Sequence, residues 1–385
     1  MSDITNYIEA KLKKFYGIKK KINLHEPQLK PKDMIYIKKC FNSGLVSTAG
    51  KYVNLFEKKI KKITKSKNVI SIINGTCGLH ISLKVLGIKS NDEVLVPAIT
   101  FVATANAVAH CNAIPHFVEI EEDTFGIDPI KLEKYLDKNT IIKKGKCFNF
   151  NTKRFISAII PVHVFGHPCK IDKLKALAKK FNLKVIEDAT EALGSLYKNK
   201  HVGNFGDLGV ISFNGNKIVT TGGGGVILCN SNALAKKLRH ITSTAKVTHK
   251  WRYIHNEVGY NYRLPAINAS IALGQLKRFK EMIKNKRKLY YSYKQLYHEN
   301  NFIKIMKEPK NSKSNYWLQA LILDRKYSKF KNKIIDKCNK SGIKARPIWD
   351  LLSELKMFKK CPKMNLKISK ALFKKTINLP SSSFL

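Results

Sequence analysis

Residues 208–225 read LGVISFNGNKIVTTGGGG, an apolar run followed by a polar turn and four consecutive glycines. The run at 208–213 predicts a buried strand, and Lys217 follows Ser212 by five residues in a tight turn. The glycines permit positive φ angles and close approach of the backbone. In this lysine-rich chain, the default expectation for any one lysine is a solvent-exposed surface residue without a specific function. Because Lys217 is the one charged residue in the stretch, we predict that it is functional.

Short apolar runs and helical patterns alternate on both sides of this stretch. Further strands are predicted at 69–73, 94–96, 115–120, 157–164, 184–186 and 225–229. Helical patterns between them lie at 77–86, 102–111 and 171–181. Such alternation predicts an α/β fold, with a mainly parallel sheet covered by helices on both faces.

The pattern changes past about residue 270, where a long helix, a strand at 316–323 and mixed elements follow. This change indicates a smaller C-terminal α+β domain. We therefore predict an N-terminal helix and segment at 1–45, a large domain at 46–270 and a small domain at 271–385.

The composition argues against a membrane protein and against a protein held together by disulfides or zinc, but its charge leaves nucleic-acid binding to be considered. The 385 residues contain no run of about 20 apolar residues and no signal-peptide segment, so we expect a cytoplasmic protein without membrane contact. Eight cysteines without CxxC or zinc spacing favour reduced thiols and no metal site. The net charge of +45 would suit nucleic-acid binding, but the lysines are spread along the chain without a binding motif. We expect no nucleic-acid partner, and a basic surface that attracts anionic substrates.

Two further constellations lie upstream of Lys217. Asn74-Gly75-Thr76-Cys77-Gly78 joins a strand to a helix, where backbone N–H groups at the helix start favour a phosphate. Asp188 ends another strand, at the sheet edge where ligands bind in open α/β folds. Each feature alone is common as an ordinary turn or helix cap. The order of all three, with the phosphate turn first, the acidic strand end second and the lysine turn third, is more specific than any one of them.

That order is typical of fold-type I enzymes that use pyridoxal 5'-phosphate (PLP). Over nearly its whole length the chain resembles the DegT/DnrJ/EryC1/StrS family of sugar-nucleotide aminotransferases. The motifs that carry the resemblance are VSTAGKYVNLFE, INGTCGLH, DEVLVPAITFVATANAV, PVHVFGHP, VIEDATEALGS, GDLGVISFNGNKIVTTGGGG, EVGYNYRLPAINASIALGQL and NLPSS. EDATEALGS, the glycine run and TSTAKVTHKWRY most resemble the branch that aminates UDP-linked 4-keto-6-deoxy-N-acetylhexosamines for legionaminic acid or bacillosamine.

The resemblance implies a role for each matching residue. It makes Lys217 the covalent anchor of PLP and Asp188 the partner of the protonated ring nitrogen. It implies that the backbone of Thr76 and Cys77 and the Ser212 hydroxyl bind the phosphate, and that Phe101 stacks on the PLP ring. The asparagine of the GYNYR motif, Asn261, would reach the phosphate from a neighbouring subunit, which implies a homodimer with shared sites.

Three positions depart from the commonest family pattern. Glu191 stands where many members have Gln or His, and it could bond to the ring oxygen only if protonated or bridged. His167 replaces the usual Gln, which we expect to alter a contact outside the residues that touch the cofactor, and a run of four glycines replaces Gly-Glu-Gly-Gly. His163 and Arg346 are further candidates for substrate binding. His163 ends a strand, where a hydrogen-bonded structural role is an equal alternative, and Arg346 could clamp a diphosphate or carboxylate.

We therefore expect PLP-dependent transamination of a nucleotide-linked 4-keto-6-deoxy sugar, with a UDP-linked 2-acetamido sugar as substrate and glutamate as donor. One alternative is an aminotransferase that acts at C3 of a dTDP-linked keto-sugar or on a cyclitol ketone. A second is a basic nucleic-acid-binding protein with an inert PLP fold, although such a protein would not need Lys217, Asp188 and Ser212 together.

Overall fold

The structure is a computed structural model that describes residues 4–17, 21–48 and 50–385. Parts of the predicted N-terminal segment (1–3 and 18–20) and Ala49 of the VSTAGKYVNLFE motif lie outside the described residues.

The described helices are α1 (Ile4–Tyr16), α2 (Met34–Asn42), α3 (Lys51–Thr64), α4 (Gly75–Val85), α5 (Ala103–Ala109), α6 (Pro129–Asn139), α7 (Ile171–Lys180), α8 (Asn232–Thr242), α9 (Ala266–Gln275), α10 (Phe279–Leu296), α11 (Lys331–Lys340) and α12 (Lys367–Lys375). The described strands are β1 (Asn68–Ile72), β2 (Glu93–Pro97), β3 (Ile114–Val118), β4 (Thr140–Lys143), β5 (Lys146–Asn149), β6 (Arg154–Ile159), β7 (Lys184–Asp188), β8 (Leu196–Tyr197), β9 (Lys200–His201), β10 (Leu208–Ser212), β11 (Gly225–Cys229), β12 (Lys246–Val247), β13 (Ile254–His255), β14 (Ile303–Ile305), β15 (Ser312–Lys313), β16 (Gln319–Leu323), β17 (Arg346–Pro347) and β18 (Thr376–Leu379).

A nine-stranded sheet forms the centre of the molecule, with the order β1-β11-β10-β7-β6-β2-β3. Strands β10, β7, β6, β2 and β3 pair in parallel, while β11 runs antiparallel to both of its neighbours. The prediction of a mainly parallel sheet between helices is confirmed. The sequence did not reveal the hairpin β4–β5, which continues the sheet beside β6, because its lysines and exposed residues resemble a loop.

The carboxyl ends of the central strands meet the start of α4 at one edge of the sheet. Strands β2 and β10 are buried along their whole length, as expected of parallel strands covered on both faces. Helix α4 packs closely on this sheet at Gly78, where an added Cβ would lie 2.3 Å from Ile72 Cδ1 and 2.8 Å from Val210 Cγ1. This close approach places the N-terminus of α4 beside the ends of β7 and β10.

A second, antiparallel sheet has the order β14-β16-β18-β17 and packs with α10 and α11. Helix α1 joins the same core, because Ile4, Ile8 and Leu12 lie in one apolar cluster with residues of α10, α11 and this sheet. The fold is thus the expected large α/β part with a smaller α+β part. Across the described ranges, no helix is both long and apolar enough to cross a membrane.

Strand β16 begins at Gln319, three residues later than predicted. The preceding residues bend because two side chains compete with strand pairing: Ser314 Oγ accepts the N–H of Tyr316 at 3.0 Å, and Asn315 Oδ1 accepts the N–H of Trp317 at 2.8 Å. The φ angle of 50° at Tyr316 belongs to the same bend. As a result, Trp317 does not pair in the antiparallel sheet, and its side chain can turn toward the central nine-stranded sheet.

Candidate active site

The turn between β1 and α4 has the geometry of an anion site. Asn74 caps the helix, with its Oδ1 accepting the N–H of Cys77 at 2.8 Å. Gly75 lies against the ends of neighbouring strands, and an added Cβ would sit 3.1 Å from Thr190 Cγ2 and 3.2 Å from Ser212 Cβ. A side chain at this position would therefore crowd Thr190 and Ser212, and the turn presents the first turn of α4, including Thr76, toward the strand ends. The Cys77 amide predicted for the phosphate is bonded to Asn74 in this structure.

Asp188 lies at the carboxyl end of β7 and is 3% exposed. Its Oδ1 accepts the Thr190 hydroxyl at 2.6 Å, and its Oδ2 accepts the Thr104 hydroxyl at 2.8 Å. Two threonines thus fix the orientation of the carboxylate from both sides. Thr104 lies in the predicted ITFVAT segment, but its role was missed because hydroxyls in helices rarely signal a site.

The neighbouring Glu187 points to the opposite face of β7, as strand alternation requires. Its Oε2 lies 3.1 Å from Nε2 of the fully buried His163, and the other ring nitrogen of His163 accepts the N–H of Cys169 at 3.2 Å. His163 is thereby held in the core, away from the site side of the strand. This placement favours the structural role that was weighed for His163 over substrate contact.

Lys217 projects from the turn after β10 into the space beside Asp188. Its Nζ lies 3.9 Å from Glu191 Oε1 and 3.7 Å from the centre of the Trp317 ring. Burial lowers the pKa of Lys217, although the carboxylates of Glu191 and Asp188 act in the opposite direction. A lysine whose neutral form is favoured is a better nucleophile and proton acceptor.

Glu191 is the acid that departs from the family pattern, and it lies within the site. Its Oε2 accepts the N–H of Phe165 at 2.8 Å, and the side chain is 3% exposed. Burial raises the pKa of Glu191 to about 7, against the attraction of the Lys217 ammonium. The carboxyl group is therefore partly protonated near neutral pH, which is the state that the sequence reading required for a bond to a ring oxygen.

Trp317 was not predicted and reaches Lys217 from the second sheet. Its Nε1 donates to the carbonyl of Asn216 at 2.9 Å, one residue before the lysine. The fully buried Lys286 fixes the backbone of Trp317 by donating to the Trp317 carbonyl oxygen at 3.1 Å. Asn315, also fully buried, donates to the carbonyl of Glu191 at 2.8 Å. The smaller part of the protein thus supports both residues that flank Lys217.

Of the remaining predicted residues, Ser212 lies beside Lys217 and Glu191, and the others lie at or beyond the rim. Phe101 and Arg346 line one cavity of about 740 Å³, together with Trp317. Ser212 lies at the end of β10, where its Oγ accepts the N–H of Asn214 at 3.3 Å. Asn261 is exposed on a segment paired with Ser243. The structure thus brings Gly75, Asp188, Glu191, Ser212 and Lys217 together, places Phe101 and Arg346 on the adjoining cavity, and leaves Asn261 exposed.

His167, the second departure from the pattern, lies in the core rather than in this space. It is fully buried with its ring edge-to-face on Tyr316 at 5.0 Å between centres, and burial lowers its pKa to about 3. The expectation that it lies outside the residues contacting the cofactor stays a prediction.

Several known proteins are similar to this chain over nearly its whole length. Residues 27–385 match the DegT/DnrJ/EryC1/StrS aminotransferase family. EpsN of Bacillus subtilis (strain 168), provisionally named a pyridoxal phosphate-dependent aminotransferase, is 34% identical over 94% of this chain and 92% of its own. GDP-perosamine synthase of Escherichia coli O157:H7 is 33% identical over 94% of this chain and 93% of its own. The structure of PseC, an aminotransferase of pseudaminic acid biosynthesis from Helicobacter pylori, superposes with a TM-score of 0.85 at 25% identity, covering 94% of both chains.

Proposed function

Because the chain belongs to the DegT/DnrJ/EryC1/StrS aminotransferase family, we propose that it transfers an amino group to the keto carbon of a nucleotide-linked sugar. The observation that carries this proposal is the placement of Lys217 3.9 Å from Glu191, on the side of the sheet where β7 ends in Asp188. The family uses PLP, and the chain is a PLP-dependent aminotransferase.

The residues present fit PLP. The glycine at position 75 leaves room where a Cβ would meet Thr190 and Ser212, so a phosphate could approach the start of α4 closely. Asp188, fixed by Thr104 and Thr190, offers a buried carboxylate for a protonated ring nitrogen. We propose that Thr76 and Ser212 hold the phosphate, and that Phe101 stacks on the ring.

PLP, when bound, supplies an electron sink for the carbon that loses or gains the amino group. The protein's part is to place and move protons. Burial favours the neutral form of the Lys217 amine, whose Nζ takes a proton from the amino donor and, in the second half of the reaction, delivers one to the sugar carbon that gains the amine. Glu191, with a pKa of about 7, holds a proton within 3.9 Å of that amine and so regulates its charge. Trp317 covers Lys217 and limits the access of water.

For the substrate, we propose a 4-keto-6-deoxy sugar linked to a nucleoside diphosphate, with glutamate as the amino donor. The name of the E. coli relative favours a GDP-linked sugar, whereas the sequence motifs favoured a UDP-linked N-acetyl sugar. Amination at C3 of a dTDP-linked sugar or on a cyclitol stays an alternative. Arg346 and Phe101 line the cavity of about 740 Å³ beside Lys217, which is large enough for a nucleotide sugar. Asn261, exposed on its segment, suits the proposed contribution to a second subunit of a homodimer.

The test is a substrate panel with mass spectrometry. Purified protein with PLP and glutamate is incubated with GDP-, UDP- and dTDP-linked keto-sugars, and one of them should gain an amine. Borohydride should fix PLP to the peptide that carries Lys217. Lys217→Ala should abolish both results, while Lys173→Ala, an exposed lysine on α7, should leave them unchanged. Fixation at a different peptide, or turnover by Lys217→Ala, would contradict the proposal.

A further inference from the structure

A second cavity, of about 1000 Å³, lies away from Lys217, between the end of α3 and the start of α10. Gly194 and Leu196 close one side of it. Its wall carries nine basic residues and, among the described residues, no Asp or Glu: Lys59, Lys62, Lys65, Lys277, Lys280, Lys284, Arg287, Lys288 and Lys313. The substrate cavity, in comparison, is lined by Arg346 and by the acidic Asp350.

The lysines converge because two helices face each other with their basic stripes. Lys280, Lys284 and Lys288 repeat at helical spacing on α10, and Lys59 and Lys62 do so on α3. Within the described ranges, no carboxylate lies within ion-pair distance of any of these five lysines. Like charges around one concave, partly apolar space repel each other and raise its affinity for anions.

One basic residue in the wall is fixed. Arg287 donates to both carboxylate oxygens of Glu308, at 2.6 and 2.7 Å, and to the carbonyl of Ser314 at 2.8 Å. It therefore forms a rigid edge of the cavity, while the surrounding lysines can move to meet a ligand. The cavity also has an apolar side formed by Ile63, Phe279 and Ile283, and the Tyr291 ring at its margin is 57% exposed.

We propose that this cavity is a second anion site, which binds a small molecule with two or more phosphate groups. Lysine ammonium groups are compact charges that bind phosphate oxygens. Several such charges spread over a large cavity match a chain of phosphates better than a single anion. The volume lies at the upper end of the range for small-molecule sites, so an attached nucleoside can be accommodated against Tyr291.

The site is tested on the full-length enzyme with PLP fixed by borohydride, so that its own phosphate site is filled. Calorimetric titrations use ADP and inorganic tripolyphosphate as probes. Lys284→Glu combined with Lys288→Glu should weaken binding of both probes by about tenfold or more, since two attractive charges become repulsive. All changed positions are exposed, so the fold is expected to be kept, and thermal unfolding checks this.

The matched control is Lys175→Glu combined with Lys179→Glu on α7. Its two exposed lysines have the same helical spacing as Lys284 and Lys288, and the double substitution changes the net charge by the same amount. They lie on a different helix, far from Lys284 and Lys288 in the sequence. It should leave affinity within about twofold of the parent. Equal losses in both double variants, or no loss in the cavity variant, would overturn the proposal. Binding of long nucleic acid without binding of either small probe would overturn it as well. Tighter binding of ADP than of tripolyphosphate, cancelled by Tyr291→Ala, would support a nucleoside polyphosphate as the ligand.

Discussion

Replacing Glu191 by Gln should change how the stability of the PLP-free protein depends on pH. Burial raises the pKa of Glu191 from its ordinary value of 4.5 to about 7. The folded state therefore binds more protons than the unfolded state between these two pH values. Stability contributed by this group is fully present below about pH 4.5 and is lost as the pH rises through 7. Gln has the same size and can still accept the N–H of Phe165, but it does not titrate.

The magnitude follows from the width of that window. Each unit of pKa shift corresponds to about 1.4 kcal/mol, so a shift from 4.5 to about 7 amounts to about 3 kcal/mol. The free energy of unfolding of Glu191→Gln should therefore rise by about that amount relative to the parent between pH 4.5 and pH 8. In a Lys217→Met background, the pKa of Glu191 should move further up, because the lysine charge holds it down.

The assay is urea unfolding of both PLP-free proteins at several pH values, followed by circular dichroism. The matched control is Glu299→Gln, since the Glu299 side chain is 72% exposed and should show no such trend. A constant difference between parent and Glu191→Gln across the range would refute the reasoning. So would a difference that changes in the opposite direction.

Three further substitutions test other contacts. Trp317→Phe removes the hydrogen bond to Asn216 and should weaken PLP retention by about fivefold, measured by PLP release on dialysis; unchanged retention would contradict the role of the indole. Asp33→Ala leaves Arg278 buried without its two-point partner, at 2.6 and 2.8 Å, and should cost about 3–5 kcal/mol in urea unfolding, whereas a loss under 1 kcal/mol would argue against a buried pair. Gly78→Ala forces a Cβ against Ile72 and should destabilise by about 1–3 kcal/mol, with an unaltered urea midpoint as the contrary result.

The parts of the fold that could be predicted from the sequence are those with a local pattern. Strands such as β2 and β10 are buried on both faces, so continuous apolar runs marked them. Lys217 and Asp188 were found because each follows or ends such a strand. The hairpin β4–β5 has exposed lysines and gave no such signal.

Contacts made by distant segments could not be predicted in this way. Trp317 lies 100 residues after Lys217 and reaches it through a bend that depends on the side chains of Ser314 and Asn315. The sequence also left undecided which way the His163 side chain points, although that direction depends on strand alternation. Because Asp188 faces the site, the adjacent Glu187 must face away, and His163 bonds with it in the core.

The packing of α1 against α11 has a consequence for synthesis of the chain. The apolar face of α1, with Ile4, Ile8 and Leu12, has its partners more than 270 residues later, and those on α11 more than 300 residues later. At about 5–20 residues per second, a ribosome needs roughly 15–60 s to produce α11 after α1 has emerged. During that time the apolar face of α1 is uncovered, so deleting α1 should ease early aggregation while weakening the finished protein.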